Sequence, residues 1–222
     1  MQEDLLRKHG YHIVGGHSAV KPCLWLGKSL RGEGGCYKSK FYGIKSHRCM
    51  QLTPVLDCTH RCLHCWRPFE VSLSCDNWDS PSDIVNGCLH EQSRLVSGYG
   101  GMDSVDRVLW SEAREPAHAA ISLAGEPTLY PHLRELVDEL MSHSITTFVV
   151  SNGTNPQAIR DIRPTQLYIS INAPSREIYT KACVPVTDGW DNIMESLGYL
   201  ARSASRTAVR ITLVRSLNMI DP

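Results

Sequence analysis

From Cys49 onward, apolar and β-branched runs alternate with segments of helical apolar spacing, and this alternation limits the fold more than any other feature. CMQLTPVL (49–56), AHAAISLAG (117–125), ITTFVVS (145–151), QLYISIN (166–172) and TAVRITLV (207–214) read as five strands. SDIVNGCLHEQSRLV (82–96) carries apolar residues at helical spacing at Ile84, Val85, Cys88, Leu89 and Leu95. PHLRELVDELMSH (131–143), NPQAIRDI (155–162) and WDNIMESLGYLARS (190–203) read as further helices, with Pro131 in a first turn where its missing N–H is no loss. Strands separated by helix-length crossovers predict βαβ units and a parallel sheet, an α/β fold. A sheet of this kind normally continues past a fifth strand, so a naturally short chain or a truncated one is expected. Residues 1–48 contain Gly15, Gly16, Gly27, Gly32, Gly34 and Gly35 and no sustained apolar period. They are expected to form an irregular extension packed on a core of residues 49–222.

Composition narrows the class. The 222 residues suffice for one sizeable domain, 42% hydrophobic and 21% charged, as in ordinary globular proteins. No apolar stretch approaches the ~20 residues of a membrane span, and MQEDLLRKHGYH lacks the apolar centre of a signal peptide. Nine cysteines in such a chain point to metal ligands or reactive thiols rather than disulfides, and to a cytoplasmic metalloprotein. The formal charge is zero but uneven. Residues 1–50 hold nine Lys/Arg against three acids, leaving +6 there and −6 over the remainder. A basic segment beside an acidic body fits an anionic partner, nucleic acid included. A solvated basic extension fits it equally well.

Within CTHRCLHC (58–65), Cys58, Cys62 and Cys65 follow directly on the first strand. Three thiolates can hold three irons of a four-iron cluster, leaving the fourth iron open. The same triplet with His60 or His64 as fourth ligand can close a structural zinc site. Spacing alone does not separate the two. Parallel α/β sheets place their sites at the carboxyl ends of strands. There the chain has AGEPTLYP (124–131), SNGT (151–154) and SINAP (170–174). Turn and capping chemistry accounts for any one of these, but poorly for the set. Six cysteines from Cys23 to Cys88 recur every thirteen residues, yet their flanks share no pattern, so no structural repeat is read from them.

The cysteine triplet after the first strand and the GEP turn after the second resemble the radical S-adenosylmethionine (SAM) enzymes. HSAVKPCLW (17–25), GGCYKSKFYGIKSHRC (34–49), CTHRCLHCWRP (58–68), SLAGEPTLYP, VSNGT, YISINAP and RITLVRSLNM narrow the resemblance to the tRNA 4-demethylwyosine synthases of the wybutosine pathway, over most of residues 11–219. The resemblance implies a partial (βα)6 barrel, here ending after the fifth strand. It implies a SAM-binding 4Fe-4S cluster on Cys58, Cys62 and Cys65, with Gly125 and Glu126 meeting the methionyl amino group. Ser151, Asn152 and Asn172 are implied as further SAM contacts. A second 4Fe-4S cluster is implied on Cys23, Cys36 and Cys49, and Lys38 is implied to engage pyruvate, a Schiff base being one form of that link. His64 departs from the family pattern, because an aromatic is common before the last cysteine.

By the same resemblance, the substrate is tRNA-Phe carrying 1-methylguanosine beside the anticodon, condensed with pyruvate to 4-demethylwyosine. A monomer served by an external electron donor of ferredoxin or flavodoxin type is expected, since no flavodoxin-like segment precedes the barrel. The competing readings are a radical-SAM enzyme with another substrate and a non-catalytic zinc-binding RNA module. Cys75, Cys88 and Cys183 are expected to be buried small hydrophobes.

Overall fold

A computed structural model describes residues 2–67, 69 and 77–219. The chain begins with α1 (Gln2–Lys8), a hairpin of β1 (His12–Val14) and β2 (Ser18–Val20), α2 (Leu24–Leu30) and α3 (Tyr37–Tyr42). Then come β3 (Cys49–Thr53), α4 (Pro81–Ser97), α5 (Arg107–Ala113), β4 (His118–Ile121), α6 (Leu133–Ser142) and β5 (Thr146–Ser151). The described elements end with α7 (Pro156–Asp161), β6 (Gln166–Ser170), α8 (Arg176–Cys183), α9 (Trp190–Leu200) and β7 (Arg206–Arg210).

These strands form one sheet in chain order, β1 to β7. The five strands from β3 to β7 pair in parallel, as the alternation predicted. The register sets Cys49 opposite His118, His118 opposite Thr146, and Gln166 opposite Arg206. β3 stops before Pro54, which has no N–H to donate to a ladder. The segment before residue 49 is not irregular. β1 and β2 add to the β3 edge as antiparallel strands, and three-residue strands are too short to show a period in sequence. Their pairing protects an edge that would otherwise present unpaired backbone groups.

Side-chain alternation divides the sheet into two faces. Met50, Leu52, Ala119, Ile121, Val149, Leu167 and Ile169 pack against residues of α4, α6, α7 and α9. In α6 the buried residues Leu133, Leu136, Val137 and Leu140 repeat at helical spacing. α4 starts where Ser80 accepts a hydrogen bond from the Asp83 N–H at 3.2 Å, with Pro81 next in line. Cys88 lies in this core, as expected of a small hydrophobe. Cys75 falls outside the described residues. The opposite face carries Cys49, Ala120, Phe148 and Tyr168, joined by Cys36 and Ile44 from the N-terminal segment. Part of the N-terminal segment thus lies on the face that carries Cys49, while Val14 and Val20 join the helix-covered core and Leu26 and Leu30 pack with Val96, Val105 and Ala113.

Candidate active site

The cysteine loop is held at both ends. Thr53 donates through Oγ1 to the carbonyls of Val55 and Ala124, at 2.7 and 2.6 Å, tying the exits of β3 and β4 together. Further along, the loop caps α8. The Arg61 N–H donates to the carbonyls of Cys183 and Val184, both at 3.1 Å, and the Leu63 N–H to Ala182 at 3.0 Å. Those carbonyls end a helix and have no partner within it. Arg67 closes the loop, donating to the carbonyls of Leu56 at 2.9 Å and His60 at 2.8 Å.

Cys58, Cys62 and Cys65 line a cavity of about 260 Å³ together with Gly125, Glu126, Ser151, Asn152 and Asn172. Gly125 has φ of +72°, and an added Cβ would stand 2.1 Å from the Val55 carbonyl oxygen. The turn after β4 can press this closely on residues 55–57 only because position 125 is glycine. Glu126 is fully buried, and burial raises the pKa of its carboxyl. It accepts from Ser151 Oγ at 2.6 Å, the Asn152 N–H at 2.7 Å and Thr128 Oγ1 at 2.7 Å. The carboxylate thus knits the ends of β4 and β5 together. Asn152 continues the chain of contacts, donating through Nδ2 to Thr59 Oγ1 at 2.8 Å and reaching Cys58 Sγ at 3.6 Å. Asn172 accepts from the Thr212 N–H at 2.8 Å, and its carbonyl accepts from Asn218 Nδ2 at 2.8 Å.

Cys23, Cys36 and Cys49, far apart in sequence, meet at a second cavity of about 680 Å³ that Lys38 also lines. Cys23 and Cys36 stand at the entries of α2 and α3, but neither sulfur caps its helix. Ser46 donates through Oγ to Cys36 Sγ at 3.4 Å and accepts from the Cys36 N–H at 3.0 Å. The Lys38 ammonium lies 5.5 Å from the centre of the Phe148 ring and 5.9 Å from that of Tyr37, within cation–π range. Trp66, Ser122, Val150 and Arg210 line both cavities, so the two share a wall.

Burial pushes the Cys49 and Cys58 thiols up to about 12. A thiolate at either position therefore needs a compensating positive charge, which a bound metal supplies. Neither predicted triplet brings its three sulfurs within 4.8 Å of one another. A single zinc, with Zn–S near 2.3 Å, demands that closeness. A four-iron cluster spreads its ligands over separate irons and does not. The ring Nδ1 of His64 is buried without a hydrogen-bond partner, and the residue lines the first cavity. A ligand with a polar group suits that position. Burial, then Arg210, holds the His64 pKa below its usual value.

Sequence reasoning did not single out Thr128, Asn218, Tyr179 or Arg67. Tyr179 takes part through a 2.9 Å hydrogen bond between its hydroxyl and His60 Nε2. Cys183 is buried as expected, but beside Cys62 at the first cavity.

Residues 52–222 match the radical SAM superfamily. Over 229 residues the chain is 48% identical to the S-adenosyl-L-methionine-dependent tRNA 4-demethylwyosine synthase of Pyrococcus abyssi, covering 99% of this chain and 67% of that one. The chain belongs to the radical-SAM tRNA 4-demethylwyosine synthases. The synthase of Methanocaldococcus jannaschii is 42% identical, over 96% of this chain and 71% of its own. A structure of TYW1 with a lysine–pyruvate adduct bound superposes with a TM-score of 0.91 at 42% identity, covering 97% of this chain and 72% of that one. Archaeal TYW1 superposes at 0.83 with 40% identity, over 97% and 73% of the two chains. The chain spans about two thirds of the length of these archaeal synthases and 33% of the rice relative. No described helix is long and apolar enough to cross a membrane.

Proposed function

We propose that this chain condenses N1-methylguanosine, next to the anticodon of tRNA-Phe, with pyruvate to form 4-demethylwyosine. The observation that carries this is the pairing of two three-cysteine cavities across one wall, with Lys38 in the second. In this reading Cys58, Cys62 and Cys65 hold a SAM-binding 4Fe-4S cluster, and Cys23, Cys36 and Cys49 hold another. When bound, the first cluster and SAM supply a one-electron reduction and a carbon radical able to remove hydrogen.

The chain supplies position. The backbone at Gly125 and Glu126 receives the methionyl amino group. The Glu126 carboxylate keeps Ser151 and Asn152 in place, so that they and Asn172 can orient the rest of SAM. Lys38 offers its amine to the keto carbon of pyruvate, which requires the unprotonated form. Because the two cavities share lining residues, the proposed SAM and pyruvate sites adjoin, and the nucleoside would have to enter where they meet. The base reaches the site by leaving the stack of the anticodon loop, and the basic residues among the first fifty guide that stem-loop through its phosphates.

The five parallel strands, in this reading, belong to a partial (βα)6 barrel, and residues 1–48 form an extension that contributes Cys23 and Cys36 to the second cluster. A cytoplasmic monomer reduced by a ferredoxin or flavodoxin completes the reading.

Anaerobic reconstitution tests it. About eight irons per chain are expected, with SAM cleavage and conversion of 1-methylguanosine in tRNA when pyruvate is present. Cleavage of SAM with the tRNA unchanged would point to another substrate. A Cys62→Ala variant that still cleaved SAM would refute the first cluster assignment.

A further inference from the structure

Cys183 has no task in that reading, although it ends α8 next to a proposed cluster ligand. His60, Cys62 and Cys183 each offer one ligand atom within 4.8 Å of the others, and all three line the first cavity. His60 is buried, and Tyr179 holds its Nε2 at 2.9 Å. That contact fixes the plane of the ring, as outer partners do for metal-bound imidazoles. The strand-like bridge between His60 and Pro185 clamps the loop to the chain just past α8. One nitrogen and two sulfurs on a clamped frame suit a tetrahedral zinc, with the fourth position open to the cavity.

We propose that His60, Cys62 and Cys183 form a mononuclear zinc site, occupied when no iron cluster stands on the loop, and that zinc and cluster exclude each other through Cys62. Binding releases the protons of the two thiols to solvent and leaves zinc, sulfur and nitrogen in their oxidation states. The site itself depends only on the three residues named. Its exclusion of the cluster rests on the reading of Cys58, Cys62 and Cys65 given above.

The test is an anaerobic titration of metal-free protein with Zn²⁺ against a chromophoric chelator. One zinc per chain is expected, bound at least about tenfold more weakly in Cys183→Ser and as in the wild type in Cys58→Ser and Cys65→Ser. Co²⁺ in place of zinc should give sulfur-to-metal charge-transfer bands and intense visible absorption, both diminished in Cys183→Ser. Assembly of the iron cluster by Cys183→Ser, or by Cys183→Ala in its stead, reports that the variant is folded. Zinc loaded first should block cluster assembly until a chelator removes it.

A wild-type chain that binds no zinc, or a Cys183→Ser chain that binds it equally well, overturns the site. Equal weakening in Cys58→Ser overturns it too. Zinc that leaves cluster assembly unhindered overturns the exclusion alone. A chain that binds zinc as described but never assembles iron keeps the site, and overturns the exclusion together with the cluster reading.

Discussion

Gly125 meets a steric demand that no residue with a Cβ can meet. Beyond its positive φ, an added carbon would stand 2.1 Å from the Val55 oxygen and 2.7 Å from that of Asp57. Both contacts are backbone, so neither can swing aside. Gly125→Ala is expected to lower stability by about 3 kcal/mol and to abolish SAM binding. Urea unfolding and a ligand titration measure the two, and a variant with the wild-type midpoint would show a turn freer than this one. His118 poses a proton question. Its Nε2 accepts the Lys45 N–H at 3.2 Å, so the proton sits on Nδ1, donated to Thr146 Oγ1 at 2.6 Å. Burial and then nearby cations, Arg48 first, lower its pKa from 6.5 to about 4. A pKa depressed in the folded state gives stability that is complete above pH 6.5 and is lost as pH falls through about 4. Melting temperatures measured over that range should decline less steeply in His118→Gln, which cannot charge. Equal slopes would sink the assignment.

Among the elements, α8 does most to place the cysteine loop, and it is also one that the sequence conceals. Its N-cap is Ser175, whose Oγ accepts from the Ile178 N–H at 3.3 Å, and its C-terminal carbonyls receive Arg61 and Leu63. Ser175→Ala should cost about 1 kcal/mol, and hydrogen exchange at the Arg61 and Leu63 amides should quicken with it. Unchanged exchange there would separate loop from helix. With eight residues, α8 is too short for periodicity to stand out, although Ser175 and the Glu177–Lys181 pair at 2.6 Å are legible helix signals. The five parallel strands were readable because buried strands are continuous apolar runs. β1 and β2, three residues each, exist through their pairing with β3, which is tertiary information. The site divides in the same way. Cys58, Cys62, Cys65 and the turn at Gly125 announce themselves by spacing and by glycine. The contact between His60 and Tyr179 joins residues 119 positions apart, and nothing local to either one marks it.

At the scale of the whole molecule, β7 is one of the two edge strands of the sheet among the described residues, β1 being the other. Val209 and, just beyond the strand, Ile211 and Leu213 are 52%, 57% and 63% exposed. An unpaired, partly apolar edge is a template for another strand. The apparent molar mass of the isolated chain by light scattering should therefore rise with concentration, and Val209→Lys should suppress the rise. A wild-type mass that stays at the monomer value would mean that this edge is guarded by its own twist or charge. The other molecule-wide feature is the wall of Trp66, Ser122, Val150 and Arg210 between the two cavities. Room gained on one side of a partition is room taken from the other. In the proposed function the SAM pocket and the pyruvate pocket are then bounded by the same four side chains, and a variant opened to a bulkier keto acid should hold SAM more loosely or more tightly as a direct result.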